Sequence, residues 1–94
     1  MTDNPHYAEA EVTIVNEQGL HARPILRFVD QAAQFGSKIV VIKDSQRVDG
    51  KSPMEMMLLA AVRGTKLRLI AEGEDARQAI SALRGLIQGG FGEN

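Results

Sequence analysis

The sequence contains no cysteine and no tryptophan. Without cysteine there can be no disulfide, no thiolate metal site and no thiol nucleophile. Aromatic residues are scarce, three phenylalanines and one tyrosine, which leaves no stacking platform for nucleic-acid bases. An excess of either charge is also lacking: 11 Lys and Arg against 12 Asp and Glu give a formal net charge of -1. Non-specific nucleic-acid binding and basic membrane-surface helices both need a strong excess of base, so neither is expected. No apolar run approaches the roughly 18 residues that a membrane span requires. Residues 1–6 carry neither the basic nor the apolar region of a signal peptide, so a soluble, cytoplasmic protein is expected.

The 94 residues have room for one domain with a single shallow core. Residues 8–15 alternate, with Ala8, Ala10, Val12 and Ile14 on one face and Glu9, Glu11 and Thr13 on the other, which predicts a strand. From Ala22 the period becomes helical, with Ile25, Phe28, Val29 and Ala32 on one stripe, Pro24 in the first turn and Gly36 as the stop. The β-branched run Ile39-Val40-Val41-Ile42 predicts a second strand, and a short strand around Val48 returns after the turn at Asp44-Ser45.

Ser52-Pro53-Met54-Glu55 predicts a helix start, with Ser52 as the cap, Glu55 as its reciprocal partner and the helix running to Gly64. Residues 65–72 alternate as a fourth strand. Gly73-Glu74-Asp75 opens a final helix, with acid at its positive end and Ala76, Ala79, Ile80, Leu83 and Leu86 or Ile87 buried. The glycines around Phe91 predict a mobile tail. The order is βαββαβα, an α+β fold with an antiparallel four-stranded sheet covered on one face by helices.

Gly19-Leu20-His21-Ala22-Arg23-Pro24 carries the chemistry. A helix that begins just after His21 turns unpaired backbone N–H groups toward the imidazole, and such an end receives phosphate readily. Its partial positive charge favours the neutral, nucleophilic ring. Arg23 can offer paired donors to the same phosphate. Between Gln18 and Val29 there are two arginines and no acid, a local basic patch. These residues suit a histidine that accepts and surrenders a phosphoryl group. Taken alone, they suit equally a histidine that merely precedes a helix beside a solvated arginine. The only other histidine is His6, so no metal site is expected, and no cofactor.

That six-residue stretch resembles the active-site motif of the HPr family, the histidine-containing phosphocarriers of the bacterial sugar phosphotransferase system (PTS). The resemblance extends over residues 8–88, with a short flexible N-terminal extension and the glycine-rich tail outside it. It implies an open-faced β-sandwich, four antiparallel strands under three helices. It also implies that His21 is phosphorylated on Nδ1, that Arg23 stabilises the phosphate and that Pro24 shapes the helix start. Enzyme I would be the donor and a sugar-specific enzyme IIA the acceptor, so the protein would be one component of a relay and not a stand-alone enzyme. Docking is expected at Leu20, Pro24, Arg27, Met54 and Met57, between a monomer and several partners in turn. From their helical spacing alone, Met54 and Met57 fit core positions equally well. Some relatives end in an acidic residue close to the active site; here Gly89-Gly90-Phe91-Gly92 precedes Glu93, a departure that argues against a carboxylate on Arg23.

Ser52 resembles the regulatory serine of the same family, which an HPr kinase/phosphorylase modifies, and whose phosphorylated form serves in some bacteria as a partner of a transcriptional regulator. Phosphate at a helix cap meets the helix dipole favourably and adds charge without reshaping the fold. Pro53 departs from the larger aliphatic residue usual in relatives, which stiffens the cap and weakens the expected kinase recognition. Two functions therefore follow: a phosphocarrier working through His21, or a regulatory interaction module for carbon or nitrogen control working mainly through Ser52.

Overall fold

Alternation along the first segment builds an edge strand, β1 (Tyr7–Thr13), in a computed structural model that describes residues 6–93. After it come α1 (Ala22–Ala32), β2 (Lys38–Lys43), β3 (Gln46–Asp49), α2 (Pro53–Leu58), β4 (Lys66–Glu72) and α3 (Ala76–Gln88). The four strands form one antiparallel sheet in the order β1-β4-β2-β3. Most of the expected N-terminal extension lies outside the described residues, although the His6 carbonyl accepts from Gly73 N–H at 2.9 Å. Among the described residues no helix is long and apolar enough to cross a membrane.

Successive side chains of a strand point to opposite faces, and only one face of this sheet meets the helices. Val12, Ile39, Val41, Val48, Leu67, Leu69 and Ala71 form a continuous core with Ile25 and Phe28 of α1, Met56 of α2, and Ala79, Leu83 and Ile87 of α3. Each large side chain removed from water there contributes about 1.5–3 kcal/mol. Val40, Ile42 and Ile70 face the other way and form a small cluster of their own on the open face. This explains the unbroken apolar run in β2: as an inner strand it needs apolar side chains on both faces.

Two expected details are corrected. The helix begun at Ser52 ends at Leu58, well short of Gly64. Its last carbonyls are claimed by the β2–β3 hairpin, with Lys43 Nζ donating to Leu59 O at 2.8 Å and Gln46 Nε2 to Leu58 O at 3.2 Å. The chain then turns through Ala60, at φ 47°, and buries Leu59 and Ala61. The glycine-rich tail is also docked: α3 continues through Gln88, a 3₁₀ turn spans Gly90–Gly92, and Phe91 is wholly buried in the main core.

Asp75 stands at the start of α3, acid at the positive end of that helix as expected, and makes no side-chain cap there. Its carboxylate instead accepts from Ser37 Oγ, from Gly36 N–H at 2.8 Å and from Ser37 N–H at 2.9 Å, tying the α1–β2 turn to the start of α3. The Ser37 hydroxyl above all, then the Gly36 amide, hold its carboxyl below the ordinary aspartate value. A carboxyl whose folded value is depressed stabilises the fold above its unfolded value and loses that contribution as pH falls through the folded value. Asp75→Asn is expected to lower the melting temperature at neutral pH, with the gap from wild type closing as pH falls below the ordinary aspartate range. A gap unchanged with pH would show that the charge does not matter.

Gly19, at φ 70°, lies so close to residues 61 and 62 that a Cβ would sit 2.7 Å from Ala61 O and 2.9 Å from Val62 Cα. Gly19→Ala therefore combines an unfavourable backbone conformation with a clash against backbone. A loss of at least about 1–3 kcal/mol is expected, measured by chemical denaturation.

Candidate functional site

The loop between β1 and α1 is held from both sides by backbone. Ile14 N–H donates to Thr65 O at 2.9 Å, and Leu20 N–H donates to Ala61 O at 2.8 Å. Leu20 itself is buried in the core, which fixes the position of the next residue. His21 follows as the N-cap of α1, in extended backbone, with its ring capping nothing and its side chain 43% exposed.

Two features leave the start of α1 open. Pro24 has no N–H, and Ile25 N–H makes the first helical bond to His21 O at 3.0 Å. The amides of Ala22 and Arg23 meet no acceptor among the described residues, nor does the Arg23 guanidinium. These are donors without an acceptor beside an exposed imidazole, an arrangement that suits an anion.

A carboxylate completes the site from the far end of the chain. Glu93 Oε1 lies 3.3 Å from His21 Nε2, across 72 positions of sequence. The expected acid-free patch therefore contains an acid, and it meets the histidine ring and not Arg23. Phe91, seated in the core at φ 58°, and Arg27, whose Nη1 donates to Phe91 O, hold this last turn in place. Asn16, buried behind the loop, donates from Nδ2 to Gly19 O at 2.7 Å and to Glu93 Oε1 at 3.3 Å. The sequence carried only faint signals of either residue: an apolar Phe91 within glycines, and a polar Asn16 directly after the alternating residues 8–15.

The expected docking residues divide. Leu20 and Pro24 are buried and shape the site from beneath, so neither offers a contact face. Arg27 is exposed on α1, but its guanidinium is turned to Phe91 O, so it is not simply a rim charge. Met54, 81% exposed, and Met57 stand outside, and only Met56 of the three enters the core. Leu58 of α2 and Leu26 of α1 are also exposed, the latter a residue that the sequence did not single out. Ser52 caps α2 as expected, its Oγ accepting from Glu55 N–H at 3.2 Å. The reciprocal half of the capping box is absent: Glu55 Oε1 accepts from Asp49 N–H at 3.0 Å, while Ser52 N–H donates to Asp49 O.

Comparison with known proteins agrees with this geometry. The family model described as PTS HPr component phosphorylation site matches residues 8–89. The phosphocarrier protein HPr of Neisseria meningitidis serogroup A is 46% identical over 82 residues, 87% of this chain and 92% of that protein. The multiphosphoryl transfer protein of Haemophilus influenzae is 46% identical over 85 residues, which are 87% of this chain and 17% of that longer protein. Among solved structures, HPr-C-His from Thermoanaerobacter tengcongensis is 45% identical with a TM-score of 0.89, covering 93% of this chain and 98% of that one. With its βαββαβα sheet-and-helix layers and a histidine at the open start of α1, this chain belongs to the HPr family of phosphocarriers of the phosphotransferase system.

Proposed function

We propose that this protein carries phosphoryl groups on Nδ1 of His21, taking them from phosphorylated enzyme I and passing them to an enzyme IIA. One observation carries the choice of atom. Nε2 is engaged by Glu93 at 3.3 Å, and Nδ1 meets no partner among the described residues. A ring that keeps its proton on Nε2 has its lone pair on Nδ1, ready to attack phosphorus without a general base.

Arg23 and the Ala22 and Arg23 amides are the groups available to the three phosphoryl oxygens. Met54 and Met57, with Leu58 and Leu26, form the apolar surface against which successive partners dock; flexible methionines suit a face that must fit more than one. This reading takes the chain as one cytoplasmic domain that acts as a monomer.

Incubation with enzyme I and phosphoenolpyruvate is expected to label the wild type on an acid-labile, base-stable bond. His21→Ala should reduce the label to background. Undiminished label on that variant, or none on the wild type, contradicts the assignment.

A second reading concerns Ser52, because the hydroxyl that caps α2 lies two and five residues before the exposed Met54 and Met57. A phosphate there would place nearly two negative charges beside the proposed docking surface without disturbing α2. HPr kinase with ATP is expected to give acid-stable label that Ser52→Ala abolishes, and the same substitution should cost about 0.5–2 kcal/mol through the lost cap. A wild type that takes no label would leave capping as the whole role of Ser52.

A further inference from the structure

Asn16 is a polar residue buried to all but 4% of its surface, and its amide is used unevenly. Nδ2 donates twice, to Gly19 O at 2.7 Å and to Glu93 Oε1 at 3.3 Å. Oδ1 is buried and meets no donor among the described residues. Turning the amide over would set Oδ1 against the Gly19 carbonyl and the Glu93 carboxylate, oxygen against oxygen, so its orientation is determined by those two acceptors. A buried side chain with one polar atom left unmatched contributes less to stability than an apolar residue of similar shape would. Its double donation is therefore better explained by what it holds. It holds the loop that ends at His21 and the carboxylate that touches the His21 ring.

We propose that Asn16 is a positioning residue for phosphoryl transfer: its amide holds the Glu93 carboxylate on Nε2 of His21, so that the ring keeps the Nε2 proton and presents the Nδ1 lone pair. This rests on His21 being the phosphoryl acceptor. In acceptance, the Nδ1 lone pair forms the bond to phosphorus, the bond from phosphorus to the donor breaks, and its electron pair leaves with the donor. Nε2 retains its proton throughout, and the positive charge then carried by the ring is balanced by Glu93. In onward transfer a nucleophile of the acceptor protein forms its bond to phosphorus, the N–P bond breaks and its pair returns to Nδ1. The ring departs as neutral imidazole instead of imidazolate because Nε2 is still protonated. One carboxylate thus serves both directions, and it serves only while Asn16 and the Phe91 anchor keep it in reach.

The test is a double-mutant cycle with two readouts. On the unphosphorylated protein, NMR of the neutral ring is expected to show a slowly exchanging Nε2–H in the wild type, lost in both Asn16→Ala and Glu93→Ala. With enzyme I and phosphoenolpyruvate, each single variant should lower the maximal rate of acceptance by about twofold to tenfold, the range one hydrogen bond supplies, with KM little changed. In the Glu93→Ala background, Asn16→Ala should add nothing. Equal costs of Asn16→Ala with and without Glu93, or a slowly exchanging ring proton that survives in both variants, would overturn the proposal. Melting curves verify that Asn16→Ala is folded; if it is not, Asn16→Ser takes its place in the cycle and is read by the same ring proton and rates. A wild type that shows the protected ring proton yet takes no label would refute the carrier reading and leave the Asn16–Glu93–His21 contact standing.

Discussion

The working end of this protein depends on the close approach of two backbone segments, residues 16–21 and 59–63. Leu20 N–H donates to Ala61 O at 2.8 Å, and Gly19 has no room for a Cβ against the same carbonyl. Because Leu20 and Ala61 are both buried, the contact is tied to the main core and cannot shift without disturbing it. The early end of α2 belongs to the same constraint. A helix continued to Gly64 would carry residues 59–61 away from the loop, whereas the left-handed turn at Ala60 brings them against it.

The rest of the fold supplies a rigid base for that contact. The sheet meets helices on one face only, and its inner strand β2 is apolar on both, its Val40 and Ile42 clustering with Ile70 of β4 on the open side. Asp75 binds the turn after α1 to the start of α3 through a hydroxyl and two amides. The helix that begins at His21 and the helix that leads to Glu93 are thereby linked at the far end as well. An exposed imidazole on such a base can meet several partners without rearrangement of the fold, as the family's carrier function requires.

Much of this was legible in the sequence, and for identifiable reasons. Strand alternation at Ala8, Ala10 and Val12, the helical stripe from Ile25 to Ala32 and the cap at Ser52 are local patterns, and each appears where the residues place it. The motif from Gly19 to Pro24 is local too, since a strand, a loop and a helix start define it. The two least legible features were the burial of Leu20 and Pro24 and the docking of the tail. A proline at a helix start looks the same in sequence whether it faces solvent or core. Glycines around Phe91 signal flexibility locally, yet a pocket formed by distant elements holds the ring.

By itself, the sequence determined the order of elements, the apolar face of each and the histidine at an open helix start, because these follow from periodicity and from chemistry between near neighbours. Only the tertiary structure decided which ring nitrogen of His21 is engaged. That depends on Glu93, 72 positions away, and on Asn16, which meets both the loop and the carboxylate. No pattern along the chain records such a meeting. It exists because Phe91 is buried in the core and Arg27 donates to its carbonyl, and the anchored turn thereby delivers a carboxylate to a site that reads as acid-free.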